Sequence, residues 1–233
     1  GALALCLVLI GAALWVPGND LARRAGMQDS PEDALRYLAA VAPPGWEAAE
    51  HSLWKVFAEA APEMLRFLSE TTPLSFTLCD DSDPYPMAPG GKVGARIVSV
   101  GALGLRGRPV QQRPHIPHLF TYPEMRRLDP WHHPLRAALR AAPQLLRRLV
   151  LGERAQGTAL VAGLVAGCSA AGVTFRTRCS ARALIQGPDG RITGVRTDSG
   201  VIAARHAVVI ATGGFERDSA RMARHFAGPF GCI

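Results

Sequence analysis

Between Thr158 and Asp218 the sequence passes from a small-residue segment through four short strand-like stretches. It then enters an unbroken apolar run that ends in paired glycines. Thr158 to Gly172 is uncharged and carries Gly163-x-x-x-Gly167. In a membrane that spacing makes a helix-dimer face. Charged strand-like sequence follows at once, so the expected element is a helix whose small residues let it sit close to a sheet. VTFRTR, RALIQG, RITGVRT and GVIAAR have the composition of short strands, with turns at PDG (188–190) and DSG (198–200). The run HAVVIAT (206–212) is apolar without alternation, which predicts a strand buried on both faces, parallel and central. Helix, meander and buried strand in this order have the form of the second half of a doubly wound α/β domain.

That last strand would enter the turn Ala211-Thr212-Gly213-Gly214 at the carboxyl edge of the sheet, where open α/β folds bind ligands. Two glycines remove Cβ atoms and permit φ > 0, so the main chain can lie against a phosphate or a ribose. A plain tight turn without a ligand fits the same residues. No two glycines of the chain stand at i and i+2, so the G-x-G-x-x-G of a first dinucleotide-binding turn is missing.

Upstream, the signals are local. GALALCLVLIGAALWVPG (1–18) is uncharged; it lacks a charged leader and is shorter than the ~20 apolar residues of a spanning helix, so a buried core element is expected. A membrane anchor at 1–18 is the competing reading. Asn19 or Asp20 caps a short helix that Gly26 ends, and Ser30-Pro31-Glu32-Asp33 opens another. A third runs from about Glu47 to Glu70, with Leu53, Val56, Phe57, Ala60, Met64, Phe67 and Leu68 on one face. From Thr71 to about Pro130, proline and glycine break the pattern, leaving one short strand in TTPLSFTLCD and a long loop of functional or lid-like character. Pro134 to Gly152 is a basic amphipathic helix, read as an arginine face in solvent interrupted at Pro143, with a membrane-surface helix as the alternative.

Composition narrows the function classes. The 233 residues carry 26 Lys and Arg against 19 Asp and Glu, a net charge of +7, and nearly all the basic residues are arginine. They are interspersed with acids and lack aromatic interleaving, which argues against a nucleic-acid partner. Five cysteines form no C-x-x-C, which points to reduced thiols and a cytoplasmic chain. His115, His118, His132 and His133 have no cysteine or acidic partner at a metal-ligand spacing, so no metal is expected.

Several spaced stretches carry a family resemblance. ATGGFERD, the helix and meander before it, GAALWVPGND, TTPLSF and SDPYPMAPGGKVGAR occur in the order found in the fumarate reductase/3-ketosteroid dehydrogenase flavoproteins. The chain resembles that family from about Gly11 to His225, and its ketosteroid Δ1-dehydrogenase branch in particular. The resemblance implies an α/β fold: an incomplete FAD-binding domain, doubly wound and glutathione-reductase-like, with a β-meander and a helical and loop insertion. It divides the chain into 1–75, the first part of that domain without its G-x-G-x-x-G unit; 76–152, the insertion; and 153–233, the second part, ending before a substrate-capping domain. FAD is the implied cofactor. Backbone at Ala211, Thr212, Gly213 and Gly214 would face its diphosphate and ribose, Ala181 its adenine, and Gly11, Ala12 and Ala13 its isoalloxazine ring. Ile10 stands where the family has serine.

Tyr85 matches the tyrosine that lines the family's steroid pocket and assists proton handling, with Pro84 where another tyrosine is common. By its own chemistry Tyr85 is a loop tyrosine with a packed ring and a hydroxyl in water. The implied reaction is 1,2-dehydrogenation of a 3-ketosteroid with hydride passing to flavin N5. A fumarate reductase-like flavoprotein acting on a small dicarboxylate is the alternative enzyme. A non-catalytic remnant anchored through 1–18 is the alternative of another class. A chain lacking the first phosphate-binding turn is expected to hold about half of such an enzyme and to bind FAD weakly.

Overall fold

The computed structural model describes residues 13–106, 119–129, 131–215 and 218–225. It divides into two compact units, 1–173 and 174–233.

The first unit is organised around a strand that sequence periodicity does not reveal. β3 (Ile97–Val100) lies between β1 (Ala13–Trp15) and β2 (Phe76–Leu78), antiparallel to both, with Val98 opposite Leu14 and Leu78. The loop expected across Thr71 to Pro130 therefore contains the central strand. Its four residues are buried or half-buried, Ser99 included, so no polar alternation marks it. Val98 packs with Val16, Ala61 and Leu65, whereas Val100 packs with Leu74, Ala159 and Leu160; Phe76 joins both clusters.

The expected helices form, and their starts are chemically explicit. α1 (Asp20–Arg24) is capped by Asn19, whose Oδ1 accepts the Ala22 N–H at 2.9 Å. α2 (Pro31–Val41) begins with proline in its first turn, while the Ser30 hydroxyl accepts the Asp33 N–H at 3.1 Å. α3 (Trp46–Thr71) is continuous across Pro62. On the face expected to pack, Phe57 stacks on Trp15 with ring centroids 5.8 Å apart, but Leu53, Val56, Met64 and Phe67 are exposed; Ala58, Ala61 and Leu65 are the buried residues. The helix carries two apolar stripes, and the smaller side chains allow the closer approach to the sheet.

α4 (Tyr122–Leu128) is followed by α5 (Pro134–Leu151), which Pro143 does not interrupt. The two are joined by a bidentate pair: Arg148 Nη1 and Nη2 donate to Glu124 Oε2 and Oε1 at 2.6 and 2.8 Å. Two short strands, β4 (Leu103–Gly104) and β5 (Glu153–Arg154), pair antiparallel beyond α5. α6 (Gln156–Ala170) is the expected small-residue helix. A Cβ added to Gly163 would lie 2.2 Å from Leu74 Cδ2, and one added to Gly167 would lie 2.7 Å from Thr72 Cγ2. The small spacing thus serves close packing within the protein.

In the second unit, β6 (Ala181–Gln186), β7 (Ile192–Thr197) and β8 (Gly200–Ala203) form an antiparallel meander, with Val195 opposite both Leu184 and Ile202. VTFRTR is not a strand. Nor is HAVVIAT: Val209 is 88% exposed, and 207–214 make no backbone hydrogen bonds among the described residues. An apolar run is buried on both faces only where strands flank it, and the meander does not include it among the described residues. A short helix, α7 (Ser219–His225), follows.

The α6 contact is testable. Gly163→Val inserts volume against Leu74 and is expected to destabilise the protein by about 1–3 kcal/mol. Urea denaturation of the purified protein measures it, and an unchanged midpoint would contradict the packing.

Candidate functional site

The W-V-P-G-N stretch (15–19) leads β1 into α1, and both of its polar side chains, Trp15 and Asn19, hydrogen-bond within the first unit. Asn19 Nδ2 donates to the carbonyls of Val16 and Ala95 at 2.7 and 2.9 Å, which joins this turn to the residues entering β3. The Trp15 indole N–H donates to Asp83 Oδ1 at 2.6 Å.

At the centre lies Arg96, whose side chain is wholly buried. Its Nε and Nη2 donate to the two oxygens of Asp29 at 3.0 and 2.6 Å, and Nη1 donates to Asp83 Oδ2 at 2.9 Å. The two carboxylates also accept from backbone: Gly18 N–H donates to Asp29 at 2.8 Å and Lys92 N–H to Asp83 at 2.9 Å. The guanidinium also sits 5.2 Å from the Trp15 ring centroid and 5.6 Å from that of Tyr37. A buried guanidinium needs such a complete set of partners, because desolvation would otherwise outweigh attraction.

Asp83 and Lys92 close the ends of a loop, with the Asp83 N–H also donating to the Lys92 carbonyl at 2.9 Å. Inside it, Gly90 adopts φ +78° and presses on α2; a Cβ there would lie 2.2 Å from the Asp33 carbonyl oxygen. Lys92 Nζ pairs with Asp33 at 2.7 Å, and that hydrogen bond holds the Asp33 carboxyl below its ordinary range. These two contacts fix the Gly90–Lys92 end of the loop to α2.

This frame presents Tyr85. Its backbone N–H donates to the Tyr37 hydroxyl at 3.2 Å, while its own side chain is 65% exposed and its hydroxyl has no partner among the described residues. Tyr85, Pro84, Trp15, Tyr37, Leu38, Val41 and Ile97 line a shallow cavity of about 360 Å³ that bears no charged side chain. Such a surface can hold an apolar ring system; of the two phenols in its lining, Tyr37 is buried and Tyr85 is the exposed one that can donate a hydrogen bond. Cys79 lies near Asp80 and Asp81; burial first, and those carboxylates second, push its thiol up to about 11, so it is no nucleophile at neutral pH.

The residues expected at the site fall in both units. In the first, Ala13 begins the strand that brings Trp15 to the cavity, so Ala13 and Tyr85 share one frame. Gly11 and Ala12 lie outside the described residues. In the second, Ala181 opens β6 and is exposed, as are Ala211, Thr212, Gly213 and Gly214, with Gly213 at φ +80°. The turn's amides make no hydrogen bond among the described residues, which fits a segment that presents main chain to an acidic ligand. Sequence reasoning missed Asp29, Tyr37, Asp83 and Arg96. For Arg96 the signal available was a charge set directly before the apolar run Ile97–Val100.

A family model described as an FAD binding domain matches residues 3–231, and the chain belongs to that family of FAD-binding proteins. It is 28% identical to a 3-oxosteroid 1-dehydrogenase of Mycolicibacterium smegmatis, over 94% of this chain and 42% of that protein. It is 34% identical to a 4-oxocyclohexanecarboxylate 2-dehydrogenase of Sinomonas cyclohexanicum, over 89% of this chain and 37% of that protein. A crystal structure of 3-ketosteroid delta1-dehydrogenase from Sterolibacterium denitrificans, in complex with 1,4-androstadiene-3,17-dione, matches with a TM-score of 0.76 at 24% identity. That match covers 97% of this chain and 44% of the other, and shows the shared fold. The chain thus spans less than half the length of these relatives. The turn at 211–214 is exposed and makes no backbone hydrogen bond among the described residues, so its main chain is open to an acidic cofactor.

Replacing Arg96 with Met leaves two buried carboxylates facing one another, and is expected to destabilise the first unit by about 3–5 kcal/mol. Arg96→Lys keeps the charge but loses the fork, so it should fall between. Denaturation curves of the two variants check this order; equal midpoints to the parent would contradict the arrangement.

Proposed function

We propose that this chain is the FAD-binding part of a dehydrogenase that removes hydrogen from adjacent carbons beside a ring ketone, with a 3-ketosteroid as substrate. One observation carries the reading: an exposed phenol, Tyr85, whose hydroxyl has no partner among the described residues, at the edge of an uncharged apolar cavity. FAD, when bound, supplies the hydride acceptor. Trp15, Leu38, Val41 and Ile97 would seat the apolar rings and exclude water. The Tyr85 hydroxyl would donate to the ketone oxygen, favouring the enolate that forms as a general base takes the proton from the neighbouring carbon. Tyr37 and the Gly90 contact would hold that hydroxyl in place by fixing its loop.

Both relatives' names describe dehydrogenation of a ring ketone, one in a steroid and one in a small carboxylated ring. The cavity favours the steroid, since no cation among its lining residues would receive a carboxylate. Tyr85→Phe in the flavin-loaded enzyme should lower kcat for a 3-ketosteroid by about 10²-fold or more. Unchanged turnover removes Tyr85 from the chemistry, and faster turnover of 4-oxocyclohexanecarboxylate than of the steroid favours the smaller substrate.

The 233 residues lack G-x-G-x-x-G, and each donor to a charged group is worth about 1.5–3 kcal/mol. The 233-residue chain purified by itself is therefore expected to carry little flavin. Its visible spectrum decides: stoichiometric flavin bands would show that 211–214 and the rest of this chain suffice.

A further inference from the structure

Helix α5 presents two faces of opposite fate. Ala137, Ala141 and Arg148 are buried, and Arg148 is locked to Glu124 and to the Leu119 carbonyl. That anchoring fixes the opposite face outward. Leu135 and Leu139 are 81% and 79% exposed, and Leu146, Leu149 and Val150 continue the same stripe, also exposed. Trp131, 80% exposed, stands just before the helix. Arg136, Arg140 and Arg147 border the stripe along one edge, and α5 contains no acidic residue. Arg136 and Arg140 form no ion pair among the described residues, while Arg147 reaches Glu153 at 3.1 Å.

Charge separates this face from the other exposed apolar stripe. α3 carries Glu47, Glu50, Glu59, Glu63 and Glu70 against Lys55 and Arg66. An apolar stripe edged only by arginine, with a tryptophan at its end, matches an interface where acyl chains lie beneath anionic headgroups. A helix of this length is about 27 Å long, enough to lie along such a surface. Among the described residues no helix is long and apolar enough to cross a membrane, so the contact is in plane.

We propose that α5 docks the protein on an anionic bilayer surface, with Leu135, Leu139, Leu146, Leu149 and Val150 immersed below the headgroups and Arg136 and Arg140 at their phosphates. This stands independently of the steroid reading, although an apolar substrate would itself partition into such a bilayer.

Flotation of the 233-residue chain with phosphatidylcholine vesicles, with and without phosphatidylglycerol, tests it. Binding should require phosphatidylglycerol and weaken with salt. Arg136→Gln with Arg140→Gln should reduce partitioning about thirtyfold. Leu139→Glu with Leu146→Glu should abolish it with the circular dichroism spectrum unchanged, since both side chains are exposed. Phe67→Glu on α3 should leave binding as it was. A blue shift of tryptophan emission on vesicle binding should vanish in Trp131→Phe. The proposal fails if the parent chain does not float, if Phe67→Glu weakens binding as much as the α5 variants, or if the chain dimerises without lipid through the face that Leu139→Glu disrupts.

Discussion

The first unit depends on the two carboxylates that hold the Arg96 guanidinium. Through it the chain joins four separate stretches: β3 by the arginine itself, the residues before α2 by Asp29, the Tyr85 loop by Asp83, and β1 by Trp15, which contacts both Asp83 and Arg96. One positive and two negative side chains are buried together, and backbone N–H groups at Gly18 and Lys92 with the indole N–H satisfy the excess acceptors. This arrangement is costly to desolvate and tolerant of few geometries, so it specifies where the loop sits as much as it stabilises the fold.

The consequence reaches the cavity. Its walls are Trp15 and Ile97 from the sheet, Tyr37, Leu38 and Val41 from α2, and Pro84 and Tyr85 from the loop. These are the elements that Arg96 and the Gly90 contact draw together. An ionic cluster beneath an uncharged surface gives a site that is braced from below and apolar above, with Tyr85 as the exposed one of its two phenols.

What the sequence revealed follows the range of the interactions. Asn19, Ser30 and Pro31 act within a few residues of themselves, and the helix starts they predict are observed. Gly163 and Gly167 predicted close packing, and a helix lies against Leu74 and Thr72 there. On α3 hydrophobicity favours Val56, Met64 and Phe67, which are exposed, whereas geometry favours the small Ala58 and Ala61, which are buried. β3 has too few residues for a period to show. The Asp29–Arg96 pair spans 67 positions, and nothing local in either residue announces the other. The composition of HAVVIAT predicts burial, yet burial of a strand is a property of its neighbours, and 207–210 have none paired to them among the described residues.

The central claim is that Tyr85 offers its hydroxyl to a ring ketone held in this cavity. The most direct measurement is the ring resonance of a labelled Tyr85 in the flavin-loaded protein during titration with a 3-ketosteroid and with the corresponding steroid lacking the ketone. Saturable perturbation by the ketosteroid, and a much smaller one by its deoxy analogue, is the predicted result. Equal perturbation by both, or none by either, would contradict it.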